Sequence, residues 1–113
     1  MTGVTYINEE EGIKRVMNNS KLYVKLLTKF KTDTNLNDLL TSVEAQDWEK
    51  AHAAAHTIKG VAANLSLTEL YNQSFEMEKL VKGKAVKPEL LENIKLCFTE
   101  TLAAVEKVIA KYV

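Results

Sequence analysis

Apolar positions recur along this chain at alternating steps of three and four, and nowhere with the two-residue alternation of a strand. Trp48, Ala51, Ala55, Ile58, Ala62 and Leu65 form one such stripe, a coiled-coil-like seam of the kind that packs helices side by side. Leu67, Leu70, Ser74, Met77 and Val81 repeat the pattern. Leu91, Ile94, Phe98, Thr101, Val105, Val108 and Tyr112 carry it through the last helix as inward positions. Earlier, Leu22, Tyr23, Leu26, Leu27 and Phe30 share one side of a helix, and Leu36, Leu39, Leu40 and Val43 resume after the polar stretch 32–35. Residues 20–45 read as one bent helix, with two helices as the alternative. Ile13, Val16 and Met17 are the inward positions of a short opening helix over residues 8–17.

The breaks in these stripes carry helix-terminating chemistry. Asn8 with Glu11 three residues on reads as a capping box, Asn8 accepting from a first-turn amide and Glu11 reaching back. Asn18-Asn19-Ser20 interrupts the pattern, and Asp47 is a good N-cap for the helix that follows it. Ser66-Leu67-Thr68-Glu69 reads as a second capping box, starting a helix over residues 67–82. Gly83 ends that helix as a residue that accepts left-handed dihedrals. Residues 84–87 form a short link, and Pro88 suits the first turn of the last helix. The expected fold is all-α: an antiparallel four-helix bundle with a short additional N-terminal helix, residues 1–113 forming one domain.

Composition narrows the function without naming it. A chain of 113 residues buries one core and not two. Net charge is zero with 27% charged residues, which gives neither a nucleic-acid footprint nor a polybasic membrane patch. The one cysteine, Cys97, has no partner within the chain and falls on an apolar face, as a small core residue does. No apolar run approaches the roughly 20 residues of a membrane span, and no signal peptide opens the chain. A soluble, cytoplasmic protein is expected.

Beside the stripe that starts at Trp48, one position round, run His52, His56, Lys59 and Ala63. An imidazole and an ammonium therefore sit on neighbouring turns at the edge of a buried seam. Gly60 follows in the helix interior, where it costs roughly 1 kcal/mol relative to Ala. Together these features suit the approach of an anionic group to His56. In an antiparallel hairpin turning near Ser66, residues equally far from the turn lie at one height. Ile58 then pairs with about Ser74, and Ala55 with Met77, so His56 faces Glu76 to Glu78, with Glu78 beside the Met77 core position. A carboxylate accepting from Nδ1–H fixes the imidazole tautomer and leaves Nε2 free as a nucleophile.

His56-Thr57-Ile58-Lys59-Gly60, with Ala54-Ala55 before it and Ala62-Ala63-Asn64-Leu65 after it, resembles the signature of histidine-containing phosphotransfer (HPt) domains. These are the helical-bundle intermediates of bacterial and fungal phosphorelays. The run 7–30 and the segment 70–78 fit the same pattern, so the resemblance covers nearly the whole chain. One position departs: the family usually has Gly ten residues after the histidine, and here Ser66 stands there. The resemblance implies that His56 accepts a phosphoryl group from a receiver-domain aspartate and passes it to another receiver. It also implies that Glu78, 22 positions on, holds the imidazole, and that Lys59 offers its charge to a phosphoryl oxygen. Gly60, Ala63, Asn64, Tyr71 and Phe75 would give access and docking surface to a receiver. Partners would be response-regulator receivers or a hybrid histidine kinase, and the protein a monomer. No cofactor of its own is implied, Mg²⁺ belonging to the partner's acidic pocket. No P-loop and no G-x-G-x-x-G is present, so the protein is a transfer intermediate without an ATP site.

Two other readings compete. His52 and His56 at (i, i+4), with Glu49 one turn earlier, could begin a zinc or di-iron site, or be purely structural. A metal site needs further ligands from facing helices, whose inward Leu, Ile, Phe, Met and Val offer none; a solvated, uncommitted His52 is expected. A histidine-kinase dimerisation pair would have an acidic residue directly after the histidine and a proline soon after. Here Thr57 follows, and Pro88 is the only proline.

Overall fold

The computed structural model describes residues 4–112, and among them every regular element is helical. The helices are α1 (Glu9–Arg15), α2 (Ser20–Phe30), α3 (Asn35–Glu44), α4 (Trp48–Leu65), α5 (Thr68–Lys82) and α6 (Pro88–Tyr112). α4 lies between α3 and α5, α5 against α6, and α6 against α2, while α1 touches α4 and α2. The predicted seam of α4 is buried as Ala51, Ala55, Ile58, Ala62 and Leu65, joined by Ala54, with Trp48 half-buried. Four of these six buried positions are alanines, so neighbouring helices approach α4 closely. Tyr23, Leu27, Leu39, Leu70, Val81, Ile94 and Val105 fill the rest of the core. Each fully buried aliphatic side chain of this size contributes about 1.5–3 kcal/mol.

The bent helix expected over residues 20–45 is two helices. After Phe30, Thr32 Oγ1 donates back to Lys29 O at 2.9 Å, and Asp33 Oδ1 accepts from the Asn35 amide at 2.7 Å. Short polar side chains bonding their own backbone offer an alternative to the helical ladder, and here that alternative wins. Asn19 and Asp47 cap α2 and α4 through their side-chain oxygens.

Helix ends repeat one device. At Ser66 the amide of Leu67 donates to Ala62 O (2.9 Å) while Ser66 itself is left-handed, φ 56°. The same six-to-one closure joins Asp47 to Ser42, Ala85 to Leu80 and Asn18 to Ile13, with Gln46, Lys84 and Met17 at positive φ. These are Schellman turns built on residues other than glycine. Five expectations change. Gly83 stays right-handed (φ −83°), and the left-handed position falls one later, on Lys84. Met17, placed in such a turn, points outward and is 90% exposed. Ser66 closes α4 instead of capping α5, whose start has no side-chain cap, and Glu69 accepts from Gln73. Glu11 does not reach back to Asn8, because its carboxylate accepts from Ser66 Oγ at 2.8 Å. Tyr112, expected inward, is exposed and donates its hydroxyl to Glu9 (2.6 Å).

α1 fastens the α4–α5 turn. Arg15 Nε donates to Ser66 Oγ (3.2 Å), and the Asn8 amide donates to Ser66 O (2.9 Å). Beneath it, the buried Tyr23 hydroxyl donates to Leu65 O at 2.7 Å, and the Tyr23 ring lies under Gly12. A Cβ on Gly12 would come within 2.4–2.5 Å of that ring, whereas one on Gly60 would meet nothing within 4 Å. The two helical glycines therefore predict opposite responses to alanine. Gly12→Ala should destabilise by about 1–3 kcal/mol through overpacking. Gly60→Ala should stabilise by up to about 1 kcal/mol through helix propensity. Urea unfolding of both variants measures this; equal signs would contradict the packing described.

Candidate functional site

α4 carries His52, His56 and Lys59 at i, i+4 and i+7, a spacing that sets all three on one helix face. Across the two-residue turn, α5 brings Glu78 to the same height. All three α4 side chains converge on that one carboxylate. Lys59 Nζ lies 2.7 Å from Glu78 Oε1, His56 Nδ1 3.0 Å from Oε2, and His52 Nε2 3.3 Å from the same Oε2. The two imidazoles are nearly parallel (11°), with centroids 6.4 Å apart.

Glu78 is only 17% exposed. The Lys59 hydrogen bond holds its carboxyl below the ordinary value of 4.5, against the opposing effect of burial and with further help from His56. It is therefore ionised near neutrality and has no proton to donate. His56 must then donate from Nδ1, and in the neutral ring Nε2 carries the free lone pair. The His56 side chain is 65% exposed, so that lone pair is accessible. One turn on, the open space above Gly60 leaves the approach clear.

Two expected partnerships differ from the observed ones. Lys59 is bonded to Glu78 instead of being held free for an incoming anion, although an ammonium has two further protons to donate. His52 is not uncommitted, since it shares Glu78 with His56. The signal for both was present in the 52/56/59 spacing and in the height that placed His56 opposite Glu78. Among the described residues no group of three or more His, Cys, Asp or Glu side chains is arranged to hold a metal ion.

The five residues expected to give access fall into separate places. Phe75 is 38% exposed, with its ring 6.1 Å from that of Tyr71 and with Lys59 and Lys79 ammoniums at 5.5 and 4.5 Å from its centroid. It shares a recess with His52, Lys59, Glu78, Lys79 and Lys82. Tyr71 and Ala63 instead line a second recess with Arg15 and Ser66, towards the turn. Asn64 is exposed on the same end of α4. No helix among the described residues is long and apolar enough to cross a membrane.

Because the folded-state value of Glu78 lies below 4.5, its ion pairing adds stability that is complete above that pH and is lost as pH falls through the lowered value. Wild type should therefore lose stability relative to Glu78→Gln between about pH 5 and pH 3. Parallel denaturant titrations over that range test it, and a constant difference would show that Glu78 is not held by Lys59.

Residues 26–107 match the family model described as Hpt domain. No curated protein and no solved structure gives a match.

Proposed function

The chain belongs to the Hpt domain family, and on that premise we propose that it carries a phosphoryl group on His56 between receiver-domain aspartates of a phosphorelay. The observation that carries this reading is the Glu78 carboxylate at 3.0 Å from His56 Nδ1, on an imidazole whose side chain is 65% exposed. In the forward step the Nε2 lone pair attacks the phosphorus of an aspartyl phosphate. A P–N bond forms, the P–O bond breaks, and the aspartate leaves as carboxylate with the bonding pair. Nδ1 keeps its proton, so the ring becomes cationic, and Glu78 stabilises that charge. The reverse step returns the phosphoryl group to a second aspartate and restores neutral imidazole. No proton need enter or leave.

Within this reading Lys59 bridges Glu78 and, with its remaining protons, an oxygen of the phosphoryl group. Mg²⁺ belongs to the receiver's acidic pocket, and the chain supplies no cofactor. Phe75, Tyr71, Gly60, Ala63 and Asn64 form the ground on which a receiver settles. We further infer an antiparallel four-helix bundle, with α2 and α3 together as one wall and α4, α5 and α6 as the others. A cytoplasmic monomer suits this role.

The test is single-turnover transfer from a phosphorylated receiver, followed on phosphate-affinity gels. His56→Gln should abolish acid-labile, base-stable phosphorylation while leaving the helical CD signal unchanged. Label persisting in that variant, or found on His52, would overturn the assignment. Orienting groups of this kind are worth about 10²–10⁴-fold where they act in the transition state. Glu78→Ala should fall at the low end or below, because the receiver supplies most of the charge stabilisation. Glu78→Gln should keep more of the rate, since its amide oxygen still accepts from Nδ1–H. Gly60→Ala should slow transfer even as it stabilises the helix, by placing a methyl group in the approach.

A further inference from the structure

α4 packs between α3 and α5, and the two flanks beside His56 differ in charge. On the α5 side a recess of about 240 Å³ is lined by His52, Lys59, Phe75, Glu78, Lys79 and Lys82. Glu78 is its one carboxylate, and Lys59 already pairs with it at 2.7 Å. The ammoniums of Lys79 and Lys82 are left in excess. On the α3 side a groove is lined by Asp38, Asp47 and Lys50 with Ala53 and Thr57, so acid is in excess there. The chain as a whole is neutral, with 15 basic and 15 acidic residues. The contrast is one of placement.

The fold does not account for these two lysines. Both stand in the last turn of α5, where a cation suits the helix dipole. That explains a positive charge at this end of the helix, but not its place in the recess of Glu78. Lys82 is exposed and makes no ion pair or side-chain hydrogen bond among the described residues. Lys79 pairs with Glu76 at 3.6 Å, with both side chains largely in water, where such a pair contributes little. Phe75 is what draws Lys79 into the recess, the ammonium lying 4.5 Å from the centroid of its half-open ring. The ring quadrupole holds a cation there while leaving its protons free for an anion.

We propose that Lys79 and Lys82 determine which receivers this protein accepts: the α5 flank takes acidic side chains bordering the receiver's phosphorylated aspartate, and so orients that aspartate over His56. This rests on His56 exchanging a phosphoryl group with receivers. The partner's charge follows from its chemistry. A pocket that binds Mg²⁺ does so through oxygen ligands, carboxylates among them, so the face brought to His56 is acidic. Laid on α4, such a face meets ammoniums on the α5 flank and an excess of like charge on the α3 flank. Attraction on one side and repulsion on the other favour a single docking orientation. Charges at the rim of an interface act chiefly on the rate of encounter and on its salt dependence. Neither lysine touches a reacting atom.

The experiment measures second-order transfer to the full-length protein from a phosphorylated receiver, between about 0.1 and about 1 M salt. Over that range the screening length falls from about 10 to about 3 Å. At the low-salt end Lys79→Gln/Lys82→Gln should slow transfer by several-fold to about tenfold, and the difference should fade as salt rises. Lys79→Arg/Lys82→Arg keeps both charges and should keep most of the rate. Lys25→Gln/Lys107→Gln removes the same net charge from exposed positions on α2 and α6, and should behave as wild type. Equal salt slopes in wild type and Lys79→Gln/Lys82→Gln would overturn the proposal and leave the phosphotransfer reading standing. An equal loss in Lys25→Gln/Lys107→Gln would overturn it too, by showing that net charge acts and not the recess. A wild-type protein that takes no phosphoryl group on His56 from phosphorylated receivers would sink the functional reading and this proposal together.

Discussion

The site depends on a register, and the register depends on the two residues between α4 and α5. With Ser66 left-handed and Leu67 bonded back to Ala62, the two helices leave the turn in fixed phase. A slip of α5 by one helical turn would move Glu78 by about 5.4 Å, far beyond the few tenths of an ångström a hydrogen bond tolerates. All three contacts to Glu78 would be lost together. Left-handed backbone is costly for a residue with a Cβ, of the order of 1–2 kcal/mol. At Ser66 the surroundings offset it: α1 binds the hydroxyl and the carbonyl, and Tyr23 binds the carbonyl of the residue before. A glycine would adopt the same backbone more freely but would offer α1 no hydroxyl. The short N-terminal helix thereby acts on a site it does not touch.

Burial and charge are balanced at Glu78 by the same contacts that orient it. A carboxylate taken largely out of water is costly unless it is paired and hydrogen-bonded. The Lys59 ammonium supplies the opposite charge at one oxygen, and His56 Nδ1–H donates to the other. His56 itself stays largely exposed, flanked on its own helix by residues with little or no side chain, Ala53 one turn before and Gly60 one turn after. The alanines that let α3 and α5 approach α4 closely belong to the same run. Tight packing on one side of α4 and an uncovered imidazole on the other are two results of one composition.

Much of this was legible in the amino-acid order. Helix spans, inward faces and the caps at Asn8 and Asp47 rest on contacts within a few residues, where spacing alone decides which side chains meet. Even the pairing of His56 with Glu78 is of that kind, since a hairpin with a two-residue turn makes height a matter of counting. What counting could not settle was which of several possible partners each polar side chain takes. Asn8 and Glu11 looked like one reciprocal cap, as did Ser66 and Glu69; instead Glu11 and Ser66 bond each other across 55 positions. Lys59 looked free for an anion and His52 free altogether, yet both reach the same carboxylate. Gly12 gave no sign of the Tyr23 ring above which it must stay bare. The break between α2 and α3 turned on a local contest between helical ladder and side-chain bonds. Sequence determined the helices and the height at which His56 and Glu78 meet, because periodicity and turn length are local. The tertiary structure alone decided how hydroxyl, carboxylate and imidazole share their bonds, because that choice is a competition among groups brought together only when the helices pack.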